Sequence, residues 1–353
     1  MALRLARLVA CCALLFAACG GRPAPSPDLA GRSLAPNLAS SPGPSQGQGG
    51  SSPSATTPAT ALPTMGGTWS PGVATPSRRA ENAAVAVDGV IYVAGGMGDH
   101  GDTLDRFEAF DTRTGTWSEL PPLPERRDHM GLAAIDGKIY LTGGMIFYDT
   151  AVRSGLWRYD PADRHWTSLR AMPGKRAQHA SVALGGKIYV VGGIADAGRA
   201  RELWAYDPAD GSWQADLAPL PTEREHLEAV ATDSLLIAIG GRLGRQIGAV
   251  EAYDPQANSW RSLPDLPTPR GGSAAALIGS VIHVAGGEDL NNMSTFAQHE
   301  ALDLEKMTWY RAPDLPTKRH GLASAVVDGR WYVIGGGRSA GTSISDIVEV
   351  YTP

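Results

Sequence analysis

The segment RAQHASVALGGKIYVVGGIADAGRARELWAYDPADGSW, residues 176–213, contains the pattern that decides the fold. Two apolar stretches flank a Gly-Gly turn, and a second Gly-Gly pair begins at Gly192. A tyrosine, Tyr206, and a tryptophan, Trp213, follow at a separation of seven residues. Two apolar stretches joined by two glycines are typical of a β-hairpin, because both turn positions need a positive φ. The segment predicts four short strands, with the fourth beginning at the tryptophan.

The same pattern occurs six times. Successive Gly-Gly pairs are 46 to 49 residues apart, and an arginine lies 16 residues before each pair. A period in this range indicates the blades of a propeller, and the absence of helical periodicity indicates an all-β fold. The Gly-Gly pairs begin at Gly95, Gly143, Gly192, Gly240, Gly286 and Gly335; the arginines are Arg79, Arg127, Arg176, Arg224, Arg270 and Arg319; the tryptophans are Trp69, Trp117, Trp166, Trp213, Trp260 and Trp309; and the third-strand residues are Phe110, Tyr159, Tyr206, Tyr253, Leu302 and Tyr351.

The tryptophan series is out of phase with the Gly-Gly series. Trp69 precedes the first pair, and the chain reaches Tyr351 and Pro353 after the last pair without another tryptophan. We therefore predict that the segment containing Trp69 supplies the fourth strand of the last blade. Closing the ring in this way leaves no unpaired sheet edge.

The Gly-Gly pair after an apolar strand, followed by the tyrosine and the tryptophan, resembles the kelch-repeat family. The resemblance covers residues 69–353 and implies a six-bladed β-propeller. We assign residues 65–353 to this domain.

The N-terminus resembles a bacterial export signal. Arg4 and Arg7 precede an apolar run too short to span a membrane, so residues 1–19 are predicted to be a signal peptide. The small residues before Cys19 resemble a lipobox, although Phe16 departs from the usual leucine; ordinary cleavage is the alternative. The only three cysteines of the chain lie in this segment, so the mature domain contains no disulfide.

Residues 20–64 differ from the rest of the chain. Proline, glycine and serine make up more than half of them, and no aromatic residue is present. This composition predicts a disordered tether. We expect an exported monomer that is lipid-anchored at the bacterial cell envelope and meets the membrane only through its anchor. The net charge of −5 argues against nucleic-acid binding.

Residue types that recur in all six copies are assigned to the scaffold, and residues found in one copy are candidates for ligand binding. Up-and-down strands place the first–second and third–fourth connections on one face, which we call the uniform face because its turns are alike. The second–third and fourth–first connections lie on the other, variable face. Binding residues concentrate in variable loops on a rigid frame, so we predict the site there.

The position two residues after each repeat arginine begins the innermost strand, where the blades converge. It is polar in four copies and glycine in two, which predicts an asymmetric polar pocket; hydrogen-bonded channel residues are the alternative. Phe147 and Tyr148 provide a possible stacking surface for a sugar ring or a peptide. The six positions are Glu81, His129, Gln178, His226, Gly272 and Gly321, and further ionisable residues nearby are Asp128, His179, Glu225 and His320.

The predicted function is a binding module for a protein or a carbohydrate at the variable face. Some secreted bacterial kelch propellers are sugar epimerases or mutarotases, so the resemblance implies an enzymatic alternative. In that case Glu81, His129 and His226 are the candidate general acid–base residues. A purely structural role is the third interpretation.

No cofactor and no metal ion are predicted. The histidines show no paired ligand spacing along the chain, although four of them come from different blades and could meet near the axis. There is no phosphate-binding loop. The mature domain also lacks the cysteine that a copper-radical centre, found in a sugar-oxidising relative of the fold, requires.

Overall fold

The computed structural model describes residues 61–353, which form a ring of six four-stranded antiparallel sheets. This confirms the predicted all-β, six-bladed propeller. The predicted signal peptide, Cys19 and tether residues 20–60 lie outside the described residues. No helix in the described part of the chain is long and apolar enough to cross a membrane.

The strands follow the blades in chain order, except that β1 (Thr68–Pro71) belongs to the last blade. Blade 1 contains β2 (Ala83–Val87), β3 (Val90–Ala94), β4 (Phe107–Asp111) and β5 (Thr116–Glu119). Blade 2 contains β6 (Gly131–Ile135), β7 (Lys138–Thr142), the short hairpin β8 (Met145–Ile146) and β9 (Ala151–Val152), β10 (Leu156–Asp160) and β11 (His165–Ser168). Blade 3 contains β12 (Ala180–Leu184), β13 (Lys187–Val191), the hairpin β14 (Ile194–Ala195) and β15 (Gly198–Arg199), β16 (Leu203–Asp207) and β17 (Ser212–Gln214).

The second half of the ring repeats this arrangement. Blade 4 contains β18 (Glu228–Ala231), β19 (Leu236–Ile239), β20 (Val250–Asp254) and β21 (Ser259–Leu263). Blade 5 contains β22 (Ala274–Ile278), β23 (Val281–Ala285), the hairpin β24 (Glu288–Asp289) and β25 (Ser294–Thr295), β26 (His299–Asp303) and β27 (Thr308–Ala312). Blade 6 contains β28 (Ala323–Val327), β29 (Arg330–Ile334), β30 (Val348–Thr352) and β1.

The seven-residue step from tyrosine to tryptophan is a cross-strand pair. Tyr206 lies opposite Trp213 between the third and fourth strands of blade 3, and the other blades repeat this register. Each tryptophan also donates its indole N–H to a backbone carbonyl of the preceding blade, as Trp260 does to Ala218 at 2.8 Å. The aromatic pair therefore both packs within a blade and joins it to its neighbour.

The ring closes through the N-terminal strand. β1 pairs antiparallel with β30, and Trp69 lies opposite Tyr351, which supplies the cross-strand pair of the sixth blade. The indole of Trp69 donates to the carbonyl of Pro313 in blade 5 at 2.8 Å. The chain joins the propeller slightly earlier than the predicted boundary, because Thr64 forms a parallel bridge with Arg311 and Leu62 packs against the core between blades 4 and 5.

The six repeat arginines are at most 2% exposed. Their guanidinium groups hold loops in place, as Arg270 does by donating to the carbonyl of Val284 at 2.9 Å and to Glu300 at 2.6 Å. The glutamate recurs in four blades, two residues before the third-strand tyrosine position, as Glu108, Glu251, Glu300 and Glu349. Blade 3 has Trp204 there instead, and Arg176 lies 4.0 Å above its ring. These contacts confirm a scaffold role for the arginines.

Candidate functional site

The six residues predicted to line the polar pocket form a closed ring of backbone hydrogen bonds at the propeller axis, which we call the backbone ring. Each N–H donates to the carbonyl of the equivalent residue in the preceding blade, at 2.8–3.0 Å. All six residues have a positive φ, between 51° and 63°. Left-handed backbone is costly for residues with a Cβ atom and concentrates at functional sites. The ring consists of Glu81, His129, Gln178, His226, Gly272 and Gly321.

Three histidines surround the carboxylate of Glu81. Its Oε2 atom lies 3.3 Å from Nε2 of His129 and 4.0 Å from Nε2 of His226. Its Oε1 atom lies 3.6 Å from Nδ1 of His320. Gly321 makes room for this arrangement, because a Cβ atom there would lie 2.5 Å from Oε1 of Glu81.

Each histidine uses its other ring nitrogen on a separate oxygen acceptor. Carboxylates orient His129 and His226, which belong to the backbone ring, and a backbone carbonyl orients His320. The partners are Asp128 Oδ1 for Nδ1 of His129 at 2.7 Å, Glu225 Oε2 for Nδ1 of His226, and the Ser339 carbonyl for Nε2 of His320 at 3.0 Å. The nitrogens that face Glu81 are therefore fixed in direction by contacts behind the rings.

Arg242 completes the cluster from the variable face. Its guanidinium contacts Oε2 of Glu225 at 3.2 Å and Oε1 of Glu288 at 2.9 Å. The other oxygen of Glu288 lies 3.3 Å from Nδ1 of His320. Arg242 and Glu288 each directly follow a Gly-Gly pair, so second–third connections of two neighbouring blades meet the fourth–first segments here.

Burial and neighbouring charge set the protonation of this cluster. Burial opposes ionisation of Glu81, but the nearby histidines, His129 above all, outweigh it and hold the pKa of Glu81 well below its usual range. Burial also opposes the charged form of His129, yet Glu81 and Asp128 raise its pKa. By contrast, burial and Arg242 lower the pKa of His226.

A cavity of about 180 Å³ lies on the axis, lined by the backbone ring and the first residues of the innermost strands. The ring of Phe147 is nearly parallel to that of His129, with centroids 6.4 Å apart. The N–H of Phe147 also donates to Asp128 at 3.1 Å, which ties the loop to the carboxylate behind His129. Tyr148 is 53% exposed and donates its hydroxyl to the His100 carbonyl of the neighbouring loop.

The structure brings most of the predicted site residues together. Glu81, His129 and His226 meet directly, and Phe147 lies beside them. Gln178 contributes its backbone to the ring and lines the cavity. The nearby residues Asp128, Glu225 and His320 also join the cluster.

His179 and Tyr148 lie apart from Glu81. Nε2 of His179 contacts the Thr142 hydroxyl at 2.8 Å, and burial lowers the pKa of His179 to about 3. His179 therefore belongs to the wall of the channel rather than to the cluster. Tyr148 lies at the outer rim, where it links the loops of blades 1 and 2.

Sequence reasoning missed three residues of the site. Arg242 and Glu288 are the only charged residues among the six that directly follow a Gly-Gly pair, which is a signal that the loops contained. Glu228 lines the cavity at a position where the other copies have alanine or glycine. Burial and the negative charge of Glu81 raise the pKa of Glu228 well above its usual range.

The site combines hydrogen-bond donors and acceptors at a small cavity, which Glu81, His129, His226 and Glu228 line, with Arg242 and Phe147 beside the cluster but outside the cavity lining. The carboxylate of Glu81 supplies acceptors, and the carboxyl of Glu228, whose raised pKa favours its protonated form, supplies both donor and acceptor. Such a set suits a polar ligand with many hydroxyl groups. Glu81, His129 and His226 also direct one ligand atom each to a common point, within 4.8 Å of one another.

Comparisons with known proteins agree with this architecture. The Kelch motif model matches residues 78–124 and 126–173, and the KLHDC2/KLHL20/DRC7 Kelch-repeats domain model matches residues 156–287. A solved chain titled "Structure of YjhT" is similar, with a TM-score of 0.69 and 19% identity over 80% of this chain and 97% of that chain. At this identity the likeness concerns the fold alone. Among curated protein sequences, none matches the chain.

The matched models cover consecutive copies of the sequence pattern, and the structure gives every copy the same four strands. The Gly-Gly pairs, the third-strand tyrosines and the tryptophans occupy equivalent places in all blades, with Phe110 and Leu302 as the two replacements of tyrosine. The chain belongs to the kelch-repeat family of β-propellers.

Proposed function

We propose that this protein is a binding module that takes a carbohydrate into the axial mouth of its variable face. The observation that carries the proposal is the buried cluster around Glu81, which opens on a cavity of about 180 Å³. A kelch propeller is a general frame for interaction or for catalysis, so these side chains, and not the fold, decide the class of ligand.

Three features favour a sugar over other ligands. The side chains of Glu81, Gln178 and Glu228, which line the cavity, match the paired donor and acceptor character of hydroxyl groups. Phe147 offers a partly exposed ring beside the cluster. The cavity is small, about 180 Å³, which suits the end of a chain such as a glycan rather than a large ligand.

The variable face also has an apolar rim. Of the five large hydrophobic residues exposed in the described part of the chain, three lie in its second–third connections: Tyr148, Leu243 and Met293. They would contact the part of a longer glycan, or of its protein carrier, that remains outside the cavity. A protein without glycan is the alternative ligand and is an outcome of the test below.

The experiment is a glycan array followed by calorimetric titration with the purified full chain. Wild type is expected to bind a defined set of glycans, and Glu81→Gln and Phe147→Ala are expected to weaken binding at least tenfold. Asp328→Asn, in the Asp-Gly turn of the uniform face, is the matched control and should bind as wild type does. Binding that survives Glu81→Gln, or a protein partner that binds deglycosylated, contradicts the proposal.

The isomerase alternative has weaker support from the same residues. A general base works best with a pKa near the working pH, and the pKa of Glu81 is far below it. The alternative stays a prediction and has its own test. Exchange of sugar anomers followed by NMR should be unchanged by the wild-type chain, whereas acceleration that Glu81→Gln abolishes would establish catalysis.

We also propose that the N-terminus tethers this module to the cell envelope through Cys19. The support is the sequence pattern before Cys19 and the composition of residues 20–60. Detergent phase partition of bacterially expressed protein tests it. The wild-type chain should enter the detergent phase and Cys19→Ser should remain in the aqueous phase; partition that does not change contradicts lipidation.

A further inference from the structure

The three histidines around Glu81, when neutral, present a conflict that hydrogen bonds within the cluster do not resolve. Nδ1 of His129 and Nδ1 of His226 face carboxylates, so each neutral ring carries its proton on that nitrogen. Their Nε2 atoms then direct lone pairs toward the carboxylate of Glu81. While the rings are neutral, acceptors face an acceptor, and a cation at this point satisfies all of them: a proton on His129 in the empty site, or a metal ion in its place.

His320 provides a second, independent observation. Its side chain is fully buried, and its Nε2 faces the carbonyl of Ser339. Its Nδ1 has no hydrogen-bond partner among the described residues and points toward Glu81 and Glu288. A buried nitrogen without a donor or acceptor partner is costly unless something else occupies the site.

The formal charges of the cluster also call for a cation. Four carboxylates belong to it and one guanidinium, that of Arg242, compensates them. With neutral histidines the sum is therefore −3 in a largely buried region. The four carboxylates are those of Glu81, Asp128, Glu225 and Glu288.

We propose that Glu81, His129 and His226 bind one divalent transition-metal ion, most suitably Zn²⁺. Two imidazole nitrogens and one carboxylate oxygen are a common zinc ligand set that leaves a position open for water or a ligand. Tetrahedral ligands at zinc distances lie about 3.3 Å apart. The Glu81–His129 separation is 3.3 Å, and the Glu81–His226 separation of 4.0 Å needs a small contraction.

The carboxylates behind the histidines support this assignment. A histidine that binds a metal ion usually donates its other N–H to a carboxylate, which fixes the ring and strengthens the ligand. Asp128 does so for His129, and is itself held by the hydroxyl of Thr103 at 2.5 Å and by the N–H of Phe147 at 3.1 Å. The ligands come from blades 1, 2 and 4, so their places two residues after the repeat arginines predicted that they meet, but no metal-ligand spacing marked them as ligands. The proposal replaces the expectation of no metal ion.

The test measures Zn²⁺ uptake by equilibrium dialysis and calorimetry. It uses the full chain with Cys11, Cys12 and Cys19 changed to serine, because thiolates bind zinc themselves. This chain should bind one Zn²⁺. Glu81→Gln and His226→Gln should weaken binding at least about 100-fold, and Asp128→Asn about 10- to 100-fold.

The matched control is His165→Gln, which removes an exposed histidine of blade 2 and should leave Zn²⁺ affinity unchanged. A chain that takes up no Zn²⁺, or an affinity unaffected by Glu81→Gln and His226→Gln, overturns the proposal. Visible absorption of the Co²⁺-loaded chain provides a readout without variants: ligand-field bands are expected, and a spectrum equal to that of free Co²⁺ would also overturn it.

The metal-site proposal and the carbohydrate-binding proposal can be refuted independently of each other. Zn²⁺ uptake is measured without any glycan, and the glycan titration is repeated in EDTA. Glycan binding without Zn²⁺ uptake refutes the metal site alone. Zn²⁺ uptake by a chain that binds no glycan refutes the proposed function alone.

Discussion

Two kinds of buried arginine in this propeller differ in what they join. Arg224 occurs in equivalent form in every blade, and it binds Glu251 and a backbone carbonyl of its own blade. Arg242 has no equivalent in the other copies, and it joins Glu225 of blade 4 to Glu288 of blade 5 at the axial mouth. Both are paired with carboxylates, so pairing and burial do not distinguish scaffold from site. Occurrence in all six blades distinguishes the scaffold arginine from the site arginine.

The histidines qualify this rule. His283 and His299 each occur in one copy, yet they contact each other inside blade 5 next to Trp331 and Tyr351. They are single-copy residues within the aromatic core near the ring closure, far from Glu81 in the fold. A single-copy residue therefore marks the site only when it also lies at the axis or in the variable loops.

The largest expected effect is on stability, from a scaffold arginine. Arg224→Met leaves Glu251, whose side chain is 6% exposed, as an uncompensated buried charge. We expect the free energy of unfolding to fall by about 3–5 kcal/mol, measured by urea denaturation. Arg78→Met is the control, because Arg78 and Asp99 form an exposed pair that contributes about 1 kcal/mol or less. Equal losses in the two variants would contradict the scaffold role.

The second prediction concerns the loss of folding stability at low pH. Burial lowers the pKa of His299 to about 3 and that of His283 to about 4, so both are neutral when folded. The unfolded chain takes up their protons first, and stability therefore falls as the pH drops from about 6.5 toward 3. His299→Leu introduces the residue type of blades 2 and 3, and should reduce this loss by about 3 kcal/mol at pH 4. Thermal unfolding across pH measures it, and parallel pH profiles for the variant and wild type would refute the assignment.

The third prediction uses two glycines of the backbone ring. Gly321 and Gly272 have φ of 60° and 63°, so alanine costs about 1–2 kcal/mol at either position. Only Gly321→Ala places its Cβ against Glu81, at 2.5 Å. Gly321→Ala should therefore lose more stability than Gly272→Ala and also weaken glycan binding. Equal stability and equal glycan affinity in the two variants would show that the contact with Glu81 contributes to neither.

The smallest expected effect on stability has the opposite sign. Glu228→Ala restores the small residue that other blades have and removes a buried carboxyl group. We expect the free energy of unfolding to rise by about 1 kcal/mol while glycan binding weakens, the trade-off typical of functional sites. Denaturation and titration of one preparation measure both. A loss of stability with unchanged glycan binding would show that Glu228 has a structural role instead of a binding role.

The repeated positions made the fold predictable. Gly-Gly pairs, the tyrosine-to-tryptophan step and the early Trp69 indicated six blades and their closure, because each reflects a backbone conformation or a cross-strand pair set by local geometry. The cluster was only partly predictable. Counting two residues from each arginine found Glu81, His129 and His226, since all blades meet there.

The remaining site residues depend on side-chain direction. His179 and His320 both lie one residue from the backbone ring, yet His179 contacts Thr142 inside a blade whereas His320 faces Glu81. They lie on opposite sides of the ring position: His320 directly follows its repeat arginine, as Asp128 and Glu225 do, whereas His179 follows its arginine by three residues, and only the structure shows that the first of these positions faces the cluster. Arg242 and Glu288 were visible as charged exceptions after the Gly-Gly pairs, but their pairing required the structure.

The most direct test of the account is the NMR spectrum of the chain with ¹⁵N-labelled histidines, recorded with and without the glycan selected on the array. The account predicts that the ring signals of His129, His226 and His320 shift on binding. Those of His165, His283 and His299 should stay in place. Shifts confined to the second group, or none in the first at saturating glycan, would contradict the axial site.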